Sequence, residues 1–252
     1  MLGVFFGLAW LVPLAADVMN LGPEGTQPAP AAQSSAAPEP TSPTFTVDPS
    51  ADEQLPLITE VLAADPFPER EIYSTSARPA LVALNALHDD PVAGSQPDFM
   101  QVKVAEADDS TFTSRQLIRP GSVYTVRVAY SNSSAGTDTE GARLRLAFPG
   151  VLTGQGAAYA YLSAANASPL EVGDGVVLVT EAPEDQVAAR YVSGSATITQ
   201  GPLAGTALND DLFDEGILIG CAGLDGILPP GPACDGVVEF QVRVDQPNFE
   251  VE

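Results

Sequence analysis

Basic residues are scarce in this sequence. Ten Lys and Arg, among them the single lysine Lys103, stand against 33 Asp and Glu, a formal net charge of −23. Binding to phosphate backbones or anionic headgroups rests on clustered Lys and Arg, so the deficit argues against nucleic acid and against peripheral membrane binding. Histidine is scarcer still, with His88 alone. A Ser-His-Asp triad would have to be built on it, yet no Gly-x-Ser-x-Gly elbow accompanies it. His88, beside Asp89 and Asp90, therefore reads as a surface or loop-packing residue. Two cysteines and one histidine are too few for a structural zinc site, and neither cysteine has a base nearby in sequence to make it a nucleophile.

What is abundant points to β structure. Apolar residues make up 45% of the chain, enough for a core, while 22 Gly and 23 Pro imply many turns and few long helices. The two cysteines, Cys221 and Cys234, bracket a stretch rich in Gly and Pro. They either close it as a disulfide, which requires an oxidising compartment, or remain as two buried thiols.

The amino end reads differently from the rest. Leu2 to Ala16 is an uncharged apolar run, shorter than the ~20 residues a membrane-crossing helix needs and within the range of a signal-peptide core. Residues 1–19 are therefore expected to be a signal peptide or an N-terminal membrane anchor, with an apolar helix; since the usual Lys or Arg ahead of the run is missing, either the true start lies upstream of Met1 or the segment stays uncleaved as a short anchor. Residues 20–54, dense in Pro, Ala and Ser, cannot bury enough surface to offset chain entropy and are expected to form a disordered, polyproline-like linker. Residues 55–79 connect it to the body and hold one short helix candidate, Leu55 to Ala64.

From residue 80 to 252 the apolar period is two. Val123-Tyr-Thr-Val-Arg-Val-Ala-Tyr130 puts Val126, Val128 and Tyr130 on one face and Thr125, Arg127 and Ala129 on the other; Leu144, Leu146 and Phe148 alternate with Arg143, Arg145 and Ala147. Further strands are expected at Phe99–Val104, Ala158–Leu162, Val176–Thr180, Ala188–Val192, Ser195–Thr199 and Val237–Val244. Turns are expected at Arg119–Ser122, Phe148–Gly150, Val172–Gly175 and Gly201–Pro202. Phe249 and Val251 are candidates to extend the last strand. About eight short strands at this spacing argue for an all-β fold, an antiparallel β-sandwich of immunoglobulin-like type.

Carboxylates supply the remaining chemistry. Asn209, Asp211 and Asp214 of the run Asn209 to Glu215, helped by Asp225 and Asp235, are the calcium candidates, since calcium takes six to eight oxygens. Their spacing departs from the Asp-x-Asp-x-Asp-Gly loop, and Leu212 and Phe213 read as an apolar turn docked on the body. The pairs Glu184 with Asp185 and Asp108 with Asp109 are adjacent in sequence and so point apart in a strand. Asn132-Ser-Ser134 and Asn166-Ala-Ser168 match glycosylation acceptors, with Pro169 weakening the second.

The runs Leu84–Gly94, Asp98–Lys103, Arg119–Asn132, Ala164–Pro169 and Tyr191–Ile198 resemble uncharacterised exported proteins of actinobacteria, which look related to bacterial surface repeat domains with immunoglobulin-like folds. The resemblance spans about Ala80 to Val244 and implies stalk, spacer or adhesive roles without an activity. The expected function is a non-enzymatic, extracellular module, secreted or held to the membrane by its amino segment. Its partner is expected to be an extracellular protein or glycan, with no cofactor apart from the calcium candidate. Two alternatives stand beside it: a secreted glycan hydrolase using acidic residues, and a calcium-stabilised adhesin.

Overall fold

The computed structural model of the chain describes residue 67 and residues 70–90, 95–106 and 111–247. The expected signal or anchor, the linker, the Leu55–Ala64 helix, Asp108, Asp109, Phe249 and Val251 lie outside the described residues.

The described body is all-β. Its strands are β1 (Met100–Val104), β2 (Arg115–Leu117), β3 (Val123–Tyr130), β4 (Arg143–Ala147), β5 (Val151–Thr153), β6 (Gln155–Ser163), β7 (Glu171–Val179), β8 (Gln186–Tyr191), β9 (Thr197–Gln200), β10 (Ile217–Leu218) and β11 (Gly236–Asp245). One sheet runs β1-β3-β11, with the far edge of β11 shared between β9 and β8. The other runs β10-β4-β6-β7-β2. Strand β5 leaves β6 after a single paired residue and joins β8, linking the two sheets into one hydrogen-bonded path. Among the named strands pairing is antiparallel except where β2 lies parallel to β7, a departure from the purely antiparallel sandwich expected of the sequence. Gly154 sits between β5 and β6 at φ +68°, a left-handed conformation that glycine adopts without penalty.

The alternation in sequence becomes the alternation in burial. Tyr124, Val126, Val128 and Tyr130 of β3 face inward, and Val238, Phe240, Val242 and Val244 of β11 lie beside them. Leu144 and Leu146 of β4, Ala158, Ala160 and Leu162 of β6, and Val172, Val176 and Leu178 of β7 belong to the same core. Burying each larger aliphatic stabilises the fold by roughly 1.5–3 kcal/mol relative to leaving it exposed. A 3-10 turn, Asp210–Phe213, docks Leu212 and Phe213 into this core as the sequence implied. There Phe213 meets Tyr191, Phe240 and Phe148, with ring centroids 4.2, 5.5 and 6.3 Å away.

One expected turn is a strand. Val172–Gly175 lies inside β7, because its glycines face tyrosines of β6: Tyr161 pairs with Gly173 and Tyr159 with Gly175. A Cβ on Gly175 would come within 2.8 Å of the Tyr159 ring, and one on Gly173 would run into Phe67, whose ring stands edge-on to both tyrosines. Glycine here clears space for an aromatic neighbour and breaks nothing. Phe67 and Arg70 carry the packed body upstream of residue 80. The Arg70 guanidinium donates to Pro97 O (2.8 Å) and lies over the Phe99 ring.

The same device recurs inside the core, where Tyr130 pairs with Gly236 and its phenol occupies the space a Cβ would take. Tyr130 is 1% exposed and cannot swing away. Gly236→Ala is therefore expected to cost about 1–3 kcal/mol through overpacking, read as a lower urea midpoint at unchanged slope; an unshifted midpoint would show that the ring yields freely.

Candidate functional site

Four loop segments meet at one end of the sandwich: 79–90, 131–142 (after β3), 164–170 (between β6 and β7) and 220–235 (before β11). Their sequences are rich in Ala, Gly, Ser, Asn and Pro, and short polar side chains can satisfy a buried backbone without filling space. Asn85 shows how. Its φ of +46° is a left-handed conformation that Asn tolerates, and its side chain holds it there, Nδ2 donating to Ala129 O (2.9 Å) and Oδ1 accepting from Ser131 Oγ (3.0 Å).

From that point a buried polar chain crosses the end. Ser133 Oγ accepts from Ala86 N and donates to Gln96 Oε1, both at 2.8 Å. Gln96 Oε1 also accepts from Leu87 N, and Gln96 Nε2 donates to Asp90 Oδ2 at 3.0 Å. On the other side Asn132 Nδ2 donates to Thr137 O and Leu228 O, each at 2.8 Å, and Thr139 Oγ1 accepts from Leu228 N and donates to Gly226 O. Val82 bridges to Ala167, and the Asn166 side chain links Asp138 O to Glu140 N. Cys221 and Cys234 are joined by a disulfide, with Cα atoms 4.9 Å apart, so the last of the four loops is covalently closed. Fully paired networks of this kind rigidify the segments they cross.

Two features of this end are not absorbed by the scaffold. The first is its outward face: Leu81 is 66% exposed, Leu170 63%, Ile227 46% and Leu224 41%. Exposed aliphatic side chains carried by four segments that are tied to one another make this end a candidate contact surface. Exposed Asp138, Glu140, Glu171 and Asp225 surround them, and the four segments contain no Lys or Arg.

The second is a carboxylate pair. Asp90 is 4% exposed. Burial first, then the field of Asp90, pushes Asp235 up to about 7, with Arg78 acting in the opposite direction. Beside it the Tyr130 hydroxyl has no hydrogen-bond partner, and burial raises that phenol to about 12. The Asp90–Asp235 pair joins residues far apart in sequence; the sequence offers Asp235 only as a helper to the calcium candidates, and nothing in it points to Asp90 as its neighbour.

The residues singled out by sequence are distributed as follows. Asn209, Asp211 and Asp214 lie at the 3-10 turn, where Asn209 Nδ2 donates to Asp211 Oδ2 at 2.7 Å. Asp225 lies in the disulfide loop and accepts from Ile227 N at 3.0 Å. Among the described residues no group of three or more His, Cys, Asp or Glu is arranged to hold a metal ion. His88 is exposed, with Nδ1 2.6 Å from Tyr73 O. Asp185 Oδ2 caps Ala182 N in the turn before β8. Asn132 is 2% exposed with its amide nitrogen committed twice, so the folded protein cannot present that acceptor to a glycosyl donor. No protein family, curated protein or solved structure matches this chain.

Proposed function

We propose that the chain is an exported, non-enzymatic β-sandwich of immunoglobulin-like type that binds a partner through the loop end described above. The observation that carries this reading is the covalent and hydrogen-bonded locking of that end. The Cys221–Cys234 bridge closes a loop that already pins Leu228 between Asn132 and Thr139, and exposed aliphatics sit on top. A binding surface held in one conformation loses little entropy on association, so rigid presentation suits recognition. A disulfide in such a loop also suits an oxidising compartment.

The test is made in cells that express the chain natively. A membrane-impermeant maleimide should leave both cysteines unmodified until reductant is added, and an external biotinylation reagent should label the domain. Immediate alkylation of both thiols in a cytosolic fraction would overturn the assignment.

A second reading, glycan hydrolysis, draws on the Asp90–Asp235 pair, since a carboxyl pushed up to about 7 beside another is the pattern of an acid and its partner. Asp90 stands against it, being buried and held by Gln96.

A further inference from the structure

The binding role proposed above leaves the partner's chemistry open, and the loop end constrains it. Leu81, Leu170, Leu224 and Ile227 offer separate apolar contacts, and the exposed charges around them, Asp138, Glu140, Glu171 and Asp225, are all negative. No Lys or Arg of the four segments offsets them.

That combination discriminates among occupants. A second copy of the chain docking end to end would set the same carboxylates against one another, which opposes association. The stretch before Arg70 carries Asp and Glu but no Lys or Arg, so the chain's own amino segment cannot supply the missing sign. Nucleic acid and anionic lipid fail for the same reason. What fits is a protein surface carrying Arg or Lys around projecting aliphatic or aromatic side chains, the aliphatic stems of the cations lying along Leu81 and Leu170.

We infer that the end of the sandwich formed by segments 79–90, 131–142, 164–170 and 220–235 docks a cationic protein partner through Leu81 and Leu170, rimmed by Asp138, Glu140 and Asp225. The disulfide and the Asn132 and Thr139 hydrogen bonds keep the apolar contacts and the rim in fixed relation. Affinity then arises from apolar burial, and selectivity from the excess of carboxylates on the rim, which Arg78 beside Asp235 offsets only in part.

Fluorescent synthetic peptides titrated against the full chain and followed by anisotropy test this. The probes are an alternating Leu/Arg peptide, the same peptide with Glu for Arg, and the same with Ser for Leu. The Leu/Arg peptide should bind at least ten-fold more tightly than either control, and less tightly as salt is raised. Leu81→Ser with Leu170→Ser should weaken it ten-fold or more with the thermal midpoint unchanged, and Asp138→Asn with Glu140→Gln and Asp225→Asn should abolish the preference over the Glu peptide. Glu181→Gln with Glu184→Gln, at the opposite end, should change nothing. Equal binding of the three peptides, binding of none, or an undiminished affinity in the Leu81/Leu170 variant would overturn the inference. Such a result leaves the maleimide and biotinylation outcome standing, so failure of the partner assignment and failure of the exported-module reading are told apart.

Discussion

Replacing Cys221 and Cys234 together by serine is expected to lower the stability of the sandwich by about 3 kcal/mol. The bridge spans 13 positions in sequence, and closing a loop of about that length removes roughly this much conformational freedom from the unfolded chain. The folded state loses less. Cys221 N still donates to Ile227 O, Ala142 N to Gly226 O, and Leu228 remains pinned by Asn132 and Thr139. The loop should therefore keep its native conformation, and the cost falls on the unfolded side. Urea unfolding measures this directly: the midpoint drops, and the slope steepens because an uncrosslinked unfolded chain exposes more surface. For a domain of this size the thermal midpoint should fall by about 6–12 °C. An unshifted midpoint would mean that the unfolded chain is already constrained around this loop. The Leu/Arg peptide should bind the serine variant below its midpoint about as well as the parent.

How much of this was legible beforehand depends on the range over which the determining contacts act. Strands β3 and β11 alternate strictly in burial over eight and ten residues, and β4 does so from Arg143 to Leu146; such a pattern survives any choice of partner strand. Strands β2, β5 and β10, two or three residues each, are defined by their neighbours alone, and no local signal announces them. Gly173 and Gly175 misled for a physical reason. Glycine favours turns in isolation, but opposite Tyr161 and Tyr159 it gives the rings room, a relation visible only once β6 and β7 are in register. The same limit applies at the loop end. The cysteine pair could be read from spacing and composition. That Asn132 is buried against Leu228 and that Asp235 lies in the field of Asp90 depend on tertiary proximity between loops that the chain visits far apart.

The second large effect concerns that carboxylate pair. Asp235→Asn should make the protein more stable at pH 8 by about 2 kcal/mol, allowing for solvent screening at a partly open carboxyl, and leave it unchanged near pH 4. Burial and Asp90 raise Asp235 from the ordinary 3.8 to about 7 in the folded chain. Between those values the native state holds a proton that the unfolded chain has released, so stability falls as pH rises through the window. The contribution is fully present below about 4 and lost above about 7. Three groups face Asp235: Asp90, whose charge raises it, Arg78, whose charge lowers it, and the Tyr130 hydroxyl, which is itself without a hydrogen-bond partner. Asparagine keeps the shape and removes the titration, so the urea midpoint of the variant should lose most of its decline between pH 4 and 8 relative to the parent. Arg78→Met should move the decline to higher pH, because the positive charge that opposes the field of Asp90 is gone. A constant difference between Asp235→Asn and the parent across that range would show that Asp235 keeps an ordinary carboxyl titration in the folded protein and that the Asp90 field does not reach it.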